Sequence, residues 1–111
     1  MISLHDYAAH DGLGLAELVA RKEVSPEELL NTAYAAVEKV NPQLNAVLQT
    51  LTEQATAEAR GSLPQGPFSG VPFLIKELVL HAKNVRCDSG SKLAQGYIPG
   101  EDSELMARFR K

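Results

Sequence analysis

The sequence predicts an α/β architecture: amino-terminal helices that lead into the first strands of a sheet. Three observations carry that expectation. Leu29, Leu30, Ala33, Val37 and Val40 recur at helical spacing behind a strong helix-start signal. Ala46-Val47-Leu48-Gln49-Thr50-Leu51 is short and partly β-branched, which suits a strand. Val71 to Ile75 is apolar at every position, as expected of a strand buried on both faces.

Taken in order, Ser3 caps a short helical turn through Ala9, and Asp11-Gly12 is a turn signal that stops it. Leu15 to Lys22 follows, with Leu15, Leu18 and Val19 on one face. Ser25-Pro26-Glu27-Glu28 opens the long helix: Ser25 as N-cap, Pro26 at the first helical position, and Glu28 completing a capping box. Glu38 and Lys39 fall on its wet side, and Asn41-Pro42 is expected to end it, since proline cannot continue the ladder. After the strand at 46–51, Thr52 caps an alanine-rich helix from Glu53 to Arg60, closed by Gly61. Residues 62–70, with Pro64, Gly66, Pro67 and Gly70, form a loop into the apolar strand. Asp102 or Ser103 then starts a helix carrying Leu105, Met106 and Phe109 on one side. The chain reads as part of one domain, a mainly helical prelude over 1–61 followed by strand, turn and helix start over 62–111.

The apolar run ends on Lys76, at the carboxyl end of the expected strand. Open α/β sheets place their ligand crevices at such ends. An ammonium beside a dry core loses hydration, its pKa falls, and it becomes usable as a base. The ordinary alternative is a lysine that caps the strand and reaches water.

Gly66-Pro67-Phe68-Ser69-Gly70-Val71-Pro72-Phe73-Leu74-Ile75-Lys76-Glu77-Leu78 resembles the lysine motif of the amidase signature family. The resemblance extends upstream through Asn41-Pro42-Gln43-Leu44-Asn45-Ala46-Val47, and downstream through Ser89-Gly90-Ser91 and Asp102-Ser103-Glu104-Leu105. It implies the amino-terminal helices and first strands of that family's α/β/α mixed sheet, truncated. It also implies a Ser–cis-Ser–Lys triad in which Lys76 matches the lysine. In such a relay the lysine deprotonates one serine, which activates a second to attack an amide carbonyl. The family's two serines sit in a glycine- and serine-rich stretch that this chain does not contain. Ser89-Gly90-Ser91 lacks the flanking glycines of an exposed nucleophile turn and better fits the family's Gly-Ser pair after the lysine strand. Its bland reading is a turn in which Ser91 steadies residues 92–96. Glu77 is a departure, since the family commonly has aspartate there; one added methylene keeps the charge and changes its reach.

Length agrees with an amino-terminal piece: 111 residues suffice for one small domain, not for a large sheet enzyme. The last helix reaches Lys111 without glycine, asparagine or proline to close it. Composition excludes other classes. With 44% hydrophobic and 23% charged residues the chain has the makeup of a globular domain, and a net charge of −3 gives no electrostatic case for nucleic acid or an anionic membrane. The start has neither a basic nor an apolar leader region, and no apolar run approaches a membrane span. One cysteine, Cys87, makes no disulfide framework, so the reducing cytoplasm is the default compartment. Nothing in the sequence places a basic partner beside Cys87 to make it a nucleophile. No phosphate-binding or dinucleotide glycine motif occurs. His5, His10 and His81 are too scattered for a metal pair; the first two read as surface residues, and His81 as a loop residue or a pocket rim.

The resemblance therefore implies a fragment of an amidase acting on linear or small cyclic carboxamides, with Lys76 its one catalytic residue and no cofactor. The partner is a small-molecule amide, without nucleic acid or membrane, and a full-length protein has room to oligomerise. Leu78, the Ser-Gly-Ser turn and the Asp-Ser-Glu-Leu start lean towards broad-range amidases and nylon-oligomer hydrolases. The alternatives are a fragment resembling the A-type subunit of glutamyl-tRNA amidotransferase, and a non-catalytic helical interaction module.

Overall fold

The computed structural model describes residues 2–111. It contains α1 (Leu4–Ala9), α2 (Gly12–Ala20), α3 (Pro26–Leu44), α4 (Thr52–Arg60), a 3-10 turn (Lys92–Ala94) and α5 (Glu104–Phe109). The chain divides into two compact units, Met1–Pro72 and Phe73–Lys111.

In the first unit the helix starts follow the side-chain signals. Ser3 Oγ accepts from the Asp6 N–H at 3.1 Å and starts α1. Asp11, expected only to stop that helix, also starts the next: its carboxylate accepts from Gly14 N–H at 2.8 Å. The capping box at α3 closes in both directions, Glu28 N–H to Ser25 Oγ at 3.1 Å and Ser25 N–H to Glu28 Oε2 at 2.9 Å. The Ser25 N–H is the main reason the Glu28 carboxyl is drawn down to about 2. Leu29 and Leu30 are buried and Ala33 and Val37 half-buried, but Val40 is exposed, so the stripe covers the first three turns only. Helix α3 packs on α1 and α4, and Arg60 Nε donates to Glu27 Oε1 at 2.9 Å, tying the end of α4 to the start of α3. Buried Thr32 donates to Glu28 O at 2.9 Å, with Ile2 O at 3.3 Å.

Three expectations are corrected here. Helix α3 does not end at Asn41-Pro42 but runs to Leu44, with Pro42 inside it. The ring removes one ladder bond near the exposed end, and the helix closes when Asn45 turns left-handed (φ 50°) with its N–H on Asn41 O. The strand at Ala46–Leu51 is absent. Asn41 takes the backbone groups a ladder would use: its Oδ1 accepts from Ala46 and Val47 N–H at 2.9 and 2.8 Å, and its Nδ2 donates to Val47 O at 2.9 Å. Thr52 is not the cap of α4 but its first residue; the N-cap position falls on Leu51, whose apolar side chain accepts nothing, and the Thr52 hydroxyl donates to Thr50.

The largest correction concerns the sheet. Among the described residues there is no strand, so the α/β class and mixed sheet are not what this chain forms. Val71–Ile75 is irregular, with no segment paired along it. A strand is defined by its ladder, and the apolar residues here find side chains instead. Phe73 meets Phe109 of α5 edge to face at 5.5 Å between ring centroids, while Leu74 stays 72% exposed. The second unit is thus loop-rich, with buried Ala82, Val85, Cys87 and Met106. Backbone bonds Asn84 N–H to Pro99 O (2.9 Å) and Cys87 N–H to Tyr97 O (2.8 Å) clasp its two limbs. Ser103 Oγ caps α5 through the Met106 N–H, while Asp102 does other work. No described helix is long and apolar enough to cross a membrane.

Candidate active-site segment

A turn at 66–70 precedes the lysine segment along the chain. Ser69 N–H donates to Gly66 O and Val71 N–H to Phe68 O, at 3.2 and 3.1 Å. Gly70 sits at φ +83°, and a β-carbon there would meet Val19 Cγ1 at 3.0 Å and Pro26 Cγ at 3.1 Å. Conformation and space both demand glycine. Gly70→Ala is expected to cost about 1–3 kcal/mol, from left-handed strain plus overpacking. Urea unfolding checks it, with Gly66→Ala as control because nothing lies within 4 Å of a β-carbon at Gly66.

Lys76 itself is exposed, not set against a dry core. Among the described residues no carboxylate pairs with it and no serine bonds to it. Glu77, next in the chain, is half-buried and doubly engaged. Its carbonyl accepts from Cys87 Sγ at 2.8 Å, and its Oε1 accepts from Asp88 N–H at 2.7 Å. The longer side chain that departs from the family pattern therefore has a partner. Cys87 is a free, buried thiol whose hydrogen is used structurally. Ser89 (φ 53°) and Gly90 (φ 64°) form a left-handed turn. Ser89 Oγ lies 3.8 Å from Cys87 Sγ, and Ser91 Oγ caps the 3-10 turn by accepting from Leu93 N–H at 3.2 Å. This is the steadying role expected of Ser91, and neither serine is brought to Lys76.

Two aspartates brace the rest, and sequence reading missed both roles. Asp88 accepts from Gly96 N–H at 2.7 Å and from Arg86 Nε at 2.9 Å. Asp102 accepts from Lys83 N–H at 2.7 Å and Arg110 Nε at 2.7 Å. Aspartate beside a turn is the signal that was available. The Arg86 hydrogen bond, then the Gly96 N–H, hold Asp88 below the usual carboxylate range. The Lys83 N–H, then Arg110, do the same for Asp102. A carboxyl whose pKa is lower folded than unfolded stabilises fully above its unfolded value, and that support disappears as pH falls through the folded value. The urea midpoint should be flat down to about pH 5 and drop below about pH 4. A midpoint that rises on acidification would contradict this bracing.

A shallow cavity of about 430 Å³ lies in this unit, lined by His81, Tyr97, Glu101, Asp102 and Ser103 among others. His81 packs edge to face on Tyr97 at 5.9 Å between centroids, and Lys76 does not line that cavity. His5 and His10 are exposed, as expected. Among the described residues no group of three His, Cys, Asp or Glu is arranged to hold a metal.

The frame is one of a lysine segment, a Gly-Ser turn and a capped helix in fixed order. Comparison with known proteins gives it a class. The Amidase family profile matches residues 28–111. The 6-aminohexanoate-cyclic-dimer hydrolase of Pseudomonas sp. (strain NK87) is 39% identical over 103 residues, 90% of this chain and 20% of that protein. The lipoamidase of Enterococcus faecalis is 37% identical over 102 residues, 91% of this chain and 14% of that protein. The A-type subunit of the glutamyl-tRNA(Gln) amidotransferase of Syntrophobacter fumaroxidans is 34% identical over 103 residues, 87% of this chain and 21% of that protein. No solved structure gives a significant match. The chain belongs to the amidase signature family. It spans about a fifth or less of the length of these relatives.

Proposed function

We propose that this chain supplies the lysine segment of an amidase that hydrolyses carboxamide C–N bonds through a Ser–cis-Ser–Lys relay, with Lys76 as the base. The observation that carries the reading is the family match across residues 28–111, which contains the Gly70-Val71-Pro72 to Lys76 motif whole. In the relay Lys76 Nζ takes a proton from the bridging serine, and that serine takes one from the nucleophile. The nucleophile oxygen bonds to the amide carbon, and the leaving amine departs with a proton returned along the relay. Water then hydrolyses the ester. Ser89 and Ser91 serve as turn and cap, in keeping with a reading that takes both relay serines from outside residues 2–111. Lys76, exposed here, must also be enclosed in the working enzyme.

The substrate class is linear or small cyclic carboxamides, in keeping with the named activity of the cyclic-dimer hydrolase relative. The second reading is a component of a multisubunit amidotransferase, favoured by the relatives named for glutamyl-tRNA(Gln) amidotransferase. The test is product release by the longest protein encoded at the locus. Ammonia from simple carboxamides, with no acceptor present, supports the amidase. Turnover that requires glutamine, partner subunits and a glutamyl-tRNA supports the second reading.

A further inference from the structure

We propose that Glu77 is the positioning residue for Lys76, fastening the lysine-bearing peptide to the Cys87–Asp88 turn. The proposal rests on the reading of Lys76 as the relay base. Glu77 is held at two atoms on opposite sides of its Cα. Its carbonyl oxygen receives the Cys87 thiol hydrogen at 2.8 Å, and its Oε1 receives the Asp88 N–H at 2.7 Å. The first bond pins the main chain and the second pins the side chain. The residue that follows Lys76 is therefore held at its side chain and at the peptide that joins it to Leu78.

The anchor is itself fixed. Cys87 is 3% exposed and its N–H is bound to Tyr97 O at 2.8 Å. Asp88 is held in turn by Gly96 N–H and Arg86. The next two residues, Leu78 and Val79, are exposed. Val79 nonetheless sits at φ 76°, a region a β-branched residue enters only when its surroundings impose it. A base must be placed to within a fraction of an ångström, so such a latch bears on catalysis without touching substrate.

Length and acceptor chemistry make the claim testable. Glu77→Gln keeps both the reach and the Oε1 acceptor. Glu77→Asp withdraws the acceptor by about 1.5 Å, and Glu77→Ala removes it. In ¹⁵N relaxation of the 111-residue chain, the Lys76 amide is expected to show an order parameter near about 0.85 in the parent and Glu77→Gln. It should fall below about 0.6 in Glu77→Ala. The loss should be confined to residues 75–79 and 87–89. An unchanged order parameter in Glu77→Ala overturns the proposal, and so does a loss spread evenly through 73–111, which would mark general support of the unit. In an active product carrying this segment, Glu77→Ala should lower kcat about 10–100-fold with KM within about twofold, and Glu77→Gln should restore it. Unchanged kcat in Glu77→Ala overturns positioning. Full turnover in Lys76→Ala would instead remove the relay reading, and with it the catalytic purpose of the latch; the relaxation experiment separates the two failures.

Discussion

Lys76→Ala is expected to cut kcat/KM for a simple carboxamide by about 10³-fold, within the 10²- to 10⁴-fold span typical of a positioned acid–base group. The loss should fall on acylation, because in the proposed relay the lysine takes the first proton. It should not come from misfolding. Lys76 is exposed, lies in irregular chain and pairs with no carboxylate among the described residues. Substitutions at such sites usually move stability by no more than about 0.5 kcal/mol. Arginine should not rescue, because a guanidinium stays protonated. A variant with kcat/KM within about threefold of the parent would remove Lys76 from the mechanism.

Leu29→Ala is the second large effect, on stability. Leu29 is completely buried (0% exposed), one turn inside the Ser25 capping box on the packed face of α3. Removing a buried leucine side chain loses its transfer energy and leaves a cavity, together about 2–5 kcal/mol. Small domains have total stabilities of about 5–15 kcal/mol, and among the described residues the only apolar side chains buried with it in the first unit are Leu15 and Leu30. The urea midpoint should fall accordingly. Leu44→Ala, at an exposed position near the end of the same helix, should shift it by about 0.5 kcal/mol or less. A loss below about 1 kcal/mol at Leu29 would contradict the burial described.

The helices were legible because their starts are written in adjacent residues. Ser3, Ser25 and Ser103 each accept from a backbone N–H three residues on, and short-range chemistry of that kind survives any tertiary context. The two strands were misread because a strand is completed by a distant partner. Val71–Ile75 has strand composition but no ladder here. Ala46 and Val47 give their backbone groups to Asn41, a side chain whose reach no periodicity reveals. The site shows the same division. The motif singled out Lys76 and Glu77, and Ser91 was correctly read as a turn residue. The exposure of Lys76, the Glu77–Asp88 bond and the Asp102 brace are contacts between residues 8 to 19 positions apart or consequences of burial, and spacing along the chain does not encode them.

The most direct test of the central claim is a single-turnover experiment on the longest product of the locus, beside its Lys76→Ala variant. A simple carboxamide is added and intact mass is followed for a covalent acyl adduct while ammonia is counted. The account predicts an adduct on a serine outside residues 2–111, with ammonia released alongside it, in the parent alone. An adduct that forms at the same rate in Lys76→Ala, or ammonia released with no acyl-serine in either protein, would contradict it.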